Sequence, residues 1–264
     1  MGIHKSAVIS PKAELDPTCV IGPNVVIEDN VKLGANVEIK ANAYICKGTE
    51  IGDNTVVYMS TVIGGAPQDY AYKGEESYTK IGKNNIIREF VTIHRGTAPG
   101  SSTIVGDNNM LMVAVHLGHN CEIADNVIIV NSALLAGYVK VEKGAFISGN
   151  VVFHQFCRIG RHAMIGGFTG VNKDVPPYML VRGPSAIRGL NLVGMRRLGF
   201  KPDKIREIKN AFKLLYMSDM KFDDAMKELR EKFHSEEVGQ IVEFIEKSKR
   251  GICKYRYSKE EYFE

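Results

Sequence analysis

The chain has 264 residues, 44% hydrophobic and 24% charged, with 34 Lys and Arg against 30 Asp and Glu; this supports a sizeable core and excludes a disordered or polyionic chain. Its five cysteines (Cys19, Cys46, Cys121, Cys157, Cys253) are odd in number, scattered and free of any C-x-x-C pair, which argues against a disulfide framework and a cysteine-rich zinc site and suits a reducing cytoplasm. No stretch approaches the roughly 18 apolar residues of a membrane span, and "MGIHKSAVIS" has no apolar signal region, so neither secretion nor a membrane span is expected.

From the N-terminus onward, "MGIHKS" fits a myristoylation pattern, but nothing else in the sequence supports that reading. The dominant feature begins at Ile3. Every sixth residue from Ile3 to Val171 is aliphatic or Phe, except Asp69, Glu75 and Pro99. A period of six fits neither an amphipathic helix nor a long half-buried strand, but it suits short strands that turn a corner after each hexad. Three such sides make a coil of 18 residues, with β-branched side chains lining the inner wall and Gly, Asn and Asp at the corners. Nine or ten coils stacked at about 4.8 Å would make a prism about 45 Å long. The expected fold is mainly β: a parallel β-helix.

Two polar stretches, "GAPQDYAYKGEESYTK" (65–80) and "HRGTAPGSST" (94–103), interrupt the pattern without shifting it. They read as loops projecting from the prism, where binding groups tend to sit. Further along, "VHLGHNC" carries His116 and His119. Residues 18 apart should stack, which puts His119, Gly137, Gln155 and Lys173 in one column. A histidine one strand spacing from an unshielded glycine N–H is a layout that acyl transfer can use. His154 falls two coils above position 118, beside the same column. His116, His119 and His154 are therefore candidates as a group, whereas His4, His162 and His234 read as ordinary solvated histidines. Three histidines could also hold zinc, but H-x-x-H on a strand would send the two rings to opposite faces; no metal is expected. Cys121 reads as a packed thiol. A second column holds Gly149 and Gly167. It is either a side-chain-free groove for a linear ligand or simply a pair of corner glycines.

The repeat ends at "DVPPYMLVRGP", where Pro176, Pro177 and Pro184 stop regular pairing. Helical periodicity follows in "KPDKIREIKNAFKLLY", with Pro202 near the start, and again in "FDDAMKELREKF" and "EEVGQIVEFIEKSKR". The expected organisation is a β-helix over 1–190 and an α-helical C-terminal domain over 191–264. Between Arg158 and Arg206 stand ten Lys or Arg (Arg158, Arg161, Lys173, Arg182, Arg188, Arg196, Arg197, Lys201, Lys204, Arg206) against Asp174 and Asp203. Such a field suits an acidic protein partner and a diphosphate. No aromatic interleaving or nucleic-acid motif accompanies it, so nucleic acid is not the expected partner.

The segments "PQDYAYKGE", "IREFVTIHRGT", "HLGHNC", "LLAGYV", "HQFCRIG", "DVPPY" and "GLNLVGMRRLGF" stand in the order and near the spacing of the bacterial UDP-N-acetylglucosamine O-acyltransferase family of lipid A biosynthesis. The chain resembles that family over essentially its whole length, helical segment included. The resemblance implies a homotrimer of left-handed β-helices with active sites between subunits. It implies transfer of a 3-hydroxyacyl chain from acyl carrier protein to the sugar 3-hydroxyl, with no cofactor because the thioester is a substrate. By the same resemblance His119 is the general base and Gly137 the oxyanion donor through its N–H. His116, His154 and Gln155 belong to the nucleotide-sugar and acyl pocket, Asp69 to the sugar end, and Asn191 and Arg197 to the uridine diphosphate end. Gly149 and Gly167 line the acyl groove, and glycine at 167 implies a long chain.

The sequence departs from the family at three points. Ala71 stands where a lysine is usual, leaving Lys73 as the nearest substitute. Tyr138 replaces a histidine, and Asn120 replaces the acidic residue after the catalytic histidine. Without that carboxylate, a backbone carbonyl or another group must fix the imidazole tautomer. Without the lysine, an acceptor bearing a 3-amino group is an alternative. A sister enzyme that N-acylates a later precursor carries an extra N-terminal domain, and the repeat here starts at Ile3. A metal-dependent β-helix hydratase and a non-catalytic scaffold are the remaining alternatives.

Overall fold

The computed structural model describes residues 2–256. Among these residues the hexad pattern becomes three sheets wound around one core, parallel throughout except where Met179–Val181 pairs antiparallel with Ala186–Leu190 in the third. The first sheet runs from Val8–Ile9 to Gly170–Val171 in nine strands, and the second from Glu14–Leu15 to Arg158–Ile159 in eight. The third, of eleven strands, runs from Val20–Ile21 through Met164–Ile165 to Met179–Val181, Ala186–Leu190 and Lys254–Tyr255. Within each short strand the second residue points inward. Val8 pairs with Val26 and Ile9 with Ile27, the 18-residue register expected. The inner Ile21, Ile39, Ile63, Leu117 and Ile129 are fully buried, each contributing about 1.5–3 kcal/mol by leaving water. Ile3, in the same inward column, is 58% exposed because no coil packs beneath it among the described residues.

The corners are turned by left-handed residues, and among the described residues ten of the twenty that are not glycine are asparagines; Asn24, Asn36, Asn54, Asn84 and Asn108 all have φ between 56° and 58°. Asn tolerates this region better than other side chains. It also ties the coils together, since the amide of Asn36 donates to Asn54, Asn54 to Asn84 and Asn84 to Asn108 at 3.1–3.2 Å. The outward rows differ from face to face. The second sheet presents a charge ladder, with Lys32 near Glu14 and Lys140 paired to Glu122. The first presents Val8, Leu134 and Val152, each at least 45% exposed, and the third presents exposed Ile86 among half-buried Met110, Ile128 and Met164.

Beyond the prism, the described residues form four helices: α1 (Leu192–Arg197), α2 (Pro202–Met217), α3 (Phe222–Lys232) and α4 (Glu236–Glu246). Pro202 opens α2, where its missing N–H costs nothing, and Ile205, Ile208, Phe212 and Leu215 form its buried face. The six-residue α1 is too short to show a period and is not visible in the sequence. The segment expected to be wholly helical also contains a strand, because Lys254–Tyr255 returns to pair in parallel with Ala186–Ile187. Buried Asp174 anchors this return: its carboxylate accepts from Arg158 N–H (2.9 Å) and Ser248 Oγ (2.8 Å), and its carbonyl from Cys253 N–H (2.8 Å). Residues 257–264, the end of the expected C-terminal domain, lie outside the described residues.

Candidate functional site

One vertical edge of the prism, between the first and second sheets, collects the irregular chemistry. The first loop leaves from the strand Val62–Gly65 and returns at Tyr78–Ile81. The second leaves from Thr92–His94 and returns at Ser102–Val105. Both open at this edge, and the next coil turns the same corner through 118–121. Since Ile63 pairs with Ile93 and Ile93 with Leu117, the register survives both excursions. The loops therefore stand directly beside the corner that carries His119.

His119 is 4% exposed. Its Nδ1 lies 2.6 Å from Thr97 Oγ1, on the second loop, and 3.1 Å from Asn120 Oδ1. Its Nε2 lies 3.3 Å from Asp69 Oδ2, on the first loop, whose other oxygen accepts the Ala71 N–H at 2.9 Å. The Tyr138 ring meets the imidazole edge-on at 5.2 Å and stacks on Phe156 of the next coil at 4.9 Å. Thr97, missed in the sequence because a loop residue has no register, is 7% exposed. It stands where a group to orient the imidazole was expected.

Gly137 sits one coil above. A Cβ built there would run into Nε2 and Cε1 of His119, so glycine is required by the ring. At this register the N–H is left over: Tyr138 N–H donates to the His119 carbonyl and Phe156 N–H to the Gly137 carbonyl, whereas Gly137 N–H donates to no group among the described residues. Among positions 119, 137 and 155, only Gly137 carries no side chain of its own beside that amide.

His116 lies on the first sheet with Nδ1 2.8 Å from Thr92 Oγ1, and His94 packs edge-on against it at 5.0 Å. The expectation that H-x-x-H sends its rings to opposite faces fails, because position 119 belongs to the corner and not to the strand. Burial, then the electrostatic influence of the neighbouring His119, holds His116 below its usual pKa. Burial, then His116, His119 and Arg95, pushes His94 down to about 4. His94 was missed because counting by 18 fails across an insertion; counting back from Leu117 to Ile93 would have found it. Burial pushes the Cys121 thiol up to about 12, and Sγ donates to the Ala136 carbonyl at 3.2 Å, so it is a packed, inert thiol.

The other candidates are dispersed. His154 is exposed, with Nδ1 donating to the Gln155 carbonyl at 3.2 Å, two coils beyond His119, and Gln155 is half-buried. Lys73 turns its ammonium onto the Tyr70 carbonyl within the first loop, at 2.8 Å. Asn191 is an N-cap: its Oδ1 accepts from Gly194 N–H at 3.0 Å and its Nδ2 donates to the His162 carbonyl at 2.9 Å. Arg197 is exposed at the end of α1. Gly149 and Gly167 stack on a different edge, between the third and first sheets, and neither has a positive φ; the left-handed residues there are Asn150 and Phe168. The plain corner-glycine reading therefore lacks its physical reason. Among the basic residues, Arg158, Lys204 and Arg206 are engaged with Asp174, Glu237 and Asp203, whereas Arg182, Arg188, Arg196, Arg197 and Lys201 are exposed. Among the described residues no group of three or more His, Cys, Asp or Glu could hold a metal ion, and no helix is long and apolar enough to cross a membrane.

Residues 174–253 match the family model described as UDP N-acetylglucosamine O-acyltransferase, domain 2, and residues 3–68 match that of the GMPPB C-terminal domain. The acyl-[acyl-carrier-protein]–UDP-N-acetylglucosamine O-acyltransferase of Thermodesulfovibrio yellowstonii is 48% identical over 96% of this chain and 99% of its own. The crystal structure of the UDP-N-acetylglucosamine acyltransferase from Bacteroides fragilis 9343 superposes with a TM-score of 0.92 at 43% identity, covering 95% of this chain and 99% of that one. The Francisella novicida enzyme of the same name gives 0.92 at 39% identity, over 96% and 94%. The hand of the coil follows with the overlay: the fold is a left-handed parallel β-helix with helices at its C-terminal end.

Proposed function

The chain belongs to the UDP-N-acetylglucosamine O-acyltransferase family, and from that premise we propose that it transfers a 3-hydroxyacyl chain from acyl carrier protein to the 3-position of UDP-N-acetylglucosamine in lipid A biosynthesis. The observation that carries the reading is His119 Nε2 lying against Gly137, whose N–H is unspent. His119 takes the proton of the sugar hydroxyl as that oxygen attacks the thioester carbonyl. Gly137 N–H donates to the carbonyl oxygen as it gains charge. Collapse breaks the C–S bond, and the proton passes from the imidazolium to the leaving thiolate. Positioned base catalysis is worth about 10²–10⁴-fold and one oxyanion donor about 3–4 kcal/mol. On this reading the thioester is a substrate and no cofactor takes part.

Asp69, His116, His154 and Gln155 then serve the sugar and acyl pocket, Asn191 and Arg197 the diphosphate end, and Gly149 and Gly167 the acyl groove. A closed three-fold ring needs two different faces on each chain, one to meet each neighbour. The apolar first and third faces, beside a charged second face, supply them and support a homotrimer. Exposed Arg182, Arg188, Arg196, Arg197 and Lys201 favour docking of an acidic carrier protein. Five free, buried cysteines suit the cytoplasm.

One observation favours a second acceptor. Position 71 is Ala, and Lys73 is engaged with Tyr70 instead of projecting free, so a 3-amino analogue of the sugar nucleotide is the alternative. The test offers 3-hydroxyacyl carrier protein with equal amounts of both acceptors and reads the products by mass. Ester is the expected product, amide would replace the acceptor assignment, and no product from either would overturn the reading.

A further inference from the structure

The groups around His119 Nδ1 leave one consistent arrangement of hydrogens. Thr97 N–H can only donate, and it points at the Asn120 side chain at 3.0 Å, so the atom facing it is the amide oxygen, Oδ1. Thr97 Oγ1 lies 2.9 Å from the same Oδ1 and donates its hydrogen there. That spends the only hydrogen of the hydroxyl and leaves a lone pair facing Nδ1 at 2.6 Å. The Asn120 oxygen, at 3.1 Å, also faces Nδ1 as an acceptor. A lone pair on Nδ1 would meet two acceptors at once, whereas a proton there satisfies both. All three residues are at most 7% exposed, so water cannot easily substitute.

We propose that Thr97 and Asn120 are positioning residues that hold a proton on His119 Nδ1 and so leave Nε2, the nitrogen facing Gly137 and Asp69, as the basic one. The inference rests on His119 being the base. The clamp comes from two places: a loop residue that stands opposite the corner only because the inserted coil folds back, and a corner residue that must also adopt φ 59°. Its backbone is held in turn, since Asn120 N–H donates to Thr103 Oγ1 at 2.8 Å. Because the clamp is neutral, the imidazolium receives no anion on its Nδ1 side. The titratable groups facing the ring are Asp69 from the first loop, Tyr138 from the next coil, and His94 and His116 from the first sheet.

The test uses the full chain with ¹⁵N-labelled histidine, the His119 signals being assigned by their loss in His119→Gln. Without any substrate, and at a pH where the ring is neutral although Asp69 faces Nε2, Nδ1 is expected to show the protonated, pyrrole-like signal and Nε2 the pyridine-like one; the reverse would overturn the proposal. In Thr97→Val the protonated-Nδ1 form should lose population and kcat fall about 10–100-fold with KM little changed, while Thr97→Ser restores both. If Thr97→Val leaves both the tautomer and kcat as they were, the proposal fails. Asn120→Asp should move the acidic limb of the kcat/KM profile upward in pH, because a carboxylate there would stabilise the imidazolium; an unmoved limb also counts against it. The tautomer signal needs no turnover, so a protein with Nδ1 protonated that acylates neither acceptor would sink the functional reading and leave the clamp standing.

Discussion

Along the edge between the first and second sheets the chain leaves the prism twice, and the excursions bring Asp69 and Thr97 onto His119. Along the edge between the third and first sheets it turns through 148–150 and 166–168 with no excursion, leaving Gly149 and Gly167 bare. The same device, a glycine followed by a left-handed residue, appears on both: Gly137 before Tyr138, Gly149 before Asn150 and Gly167 before Phe168. None of the three glycines has a positive φ, so conformation explains none of them. On the first edge the reason lies inside the chain, since the His119 ring fills the space a side chain would need. At Gly167 a Cβ would meet the Gly149 carbonyl at 3.4 Å and Ser148 Cβ at 4.0 Å, both ordinary contacts, and at Gly149 it would stand 3.2 Å from the Asn131 carbonyl, a tight fit but with no side chain filling the space. One edge is crowded by its own chemistry, and the other is open to something else.

The largest expected effect falls on the crowded edge. His119→Ala should lower kcat at least 100-fold, the size expected for a lost base, with the thermal transition nearly unchanged because the inward core is untouched. Circular dichroism melts and steady-state rates would check this. More than about a tenth of the original rate would remove His119 from the base role. Applying one substitution to both edges sharpens the contrast. Gly137→Ala should cost about 10–100-fold in kcat, by driving the ring off its position and crowding the N–H proposed as oxyanion donor. Gly167→Ala should leave turnover within about twofold, because its methyl finds room. Equal losses at both would mean that the edges do not differ in the way described.

The core was readable in the sequence because inward residues have no freedom: each inward hexad position packs on its stacked neighbour, and only aliphatics and Phe153 fit. The loop positions were readable too, as polar interruptions that kept the register. What their side chains reach was not. Asp69 and Thr97 meet His119 through a folded-back path that has no period. His94 was masked because stacked residues differ by 30 and 24 positions across the insertions, as Asn54 to Asn84 and Asn84 to Asn108 show. The left-handed aromatics Tyr138, Phe156 and Phe168 run against ordinary preference and could not be foreseen. The strand Lys254–Tyr255 is too short to leave a pattern.

The open edge makes the next prediction. If an acyl chain runs past Gly167, then Gly167→Met should shift the preferred chain to a shorter one, lowering kcat/KM for the longest substrate about tenfold or more while sparing shorter ones. A chain-length series of acyl carrier proteins would read this directly. A uniform loss at all lengths would point to a damaged fold instead, and no change would place the chain elsewhere on the surface.

The smallest effect concerns stability on the crowded edge, where His94 is buried beside His116. His94 titrates at about 4 in the folded chain against an ordinary 6.5, chiefly because burial penalises its charge. Between those values the unfolded chain binds a proton that the folded chain refuses. Stability must therefore fall as pH drops from about 6.5 towards 4, and rise again as pH is restored. His116, also held below its usual value, adds to the same slope. Both rings are partly reached by solvent, which trims the effect. In His94→Gln, which keeps a polar group but cannot titrate, the midpoint of urea unfolding should vary less steeply across that window than in the original chain. An unchanged slope would mean that His94 is charged in the folded protein after all. It would also mean that the three histidines share water and not a dry corner, which would weaken the low-dielectric setting on which the Thr97–Asn120 clamp depends.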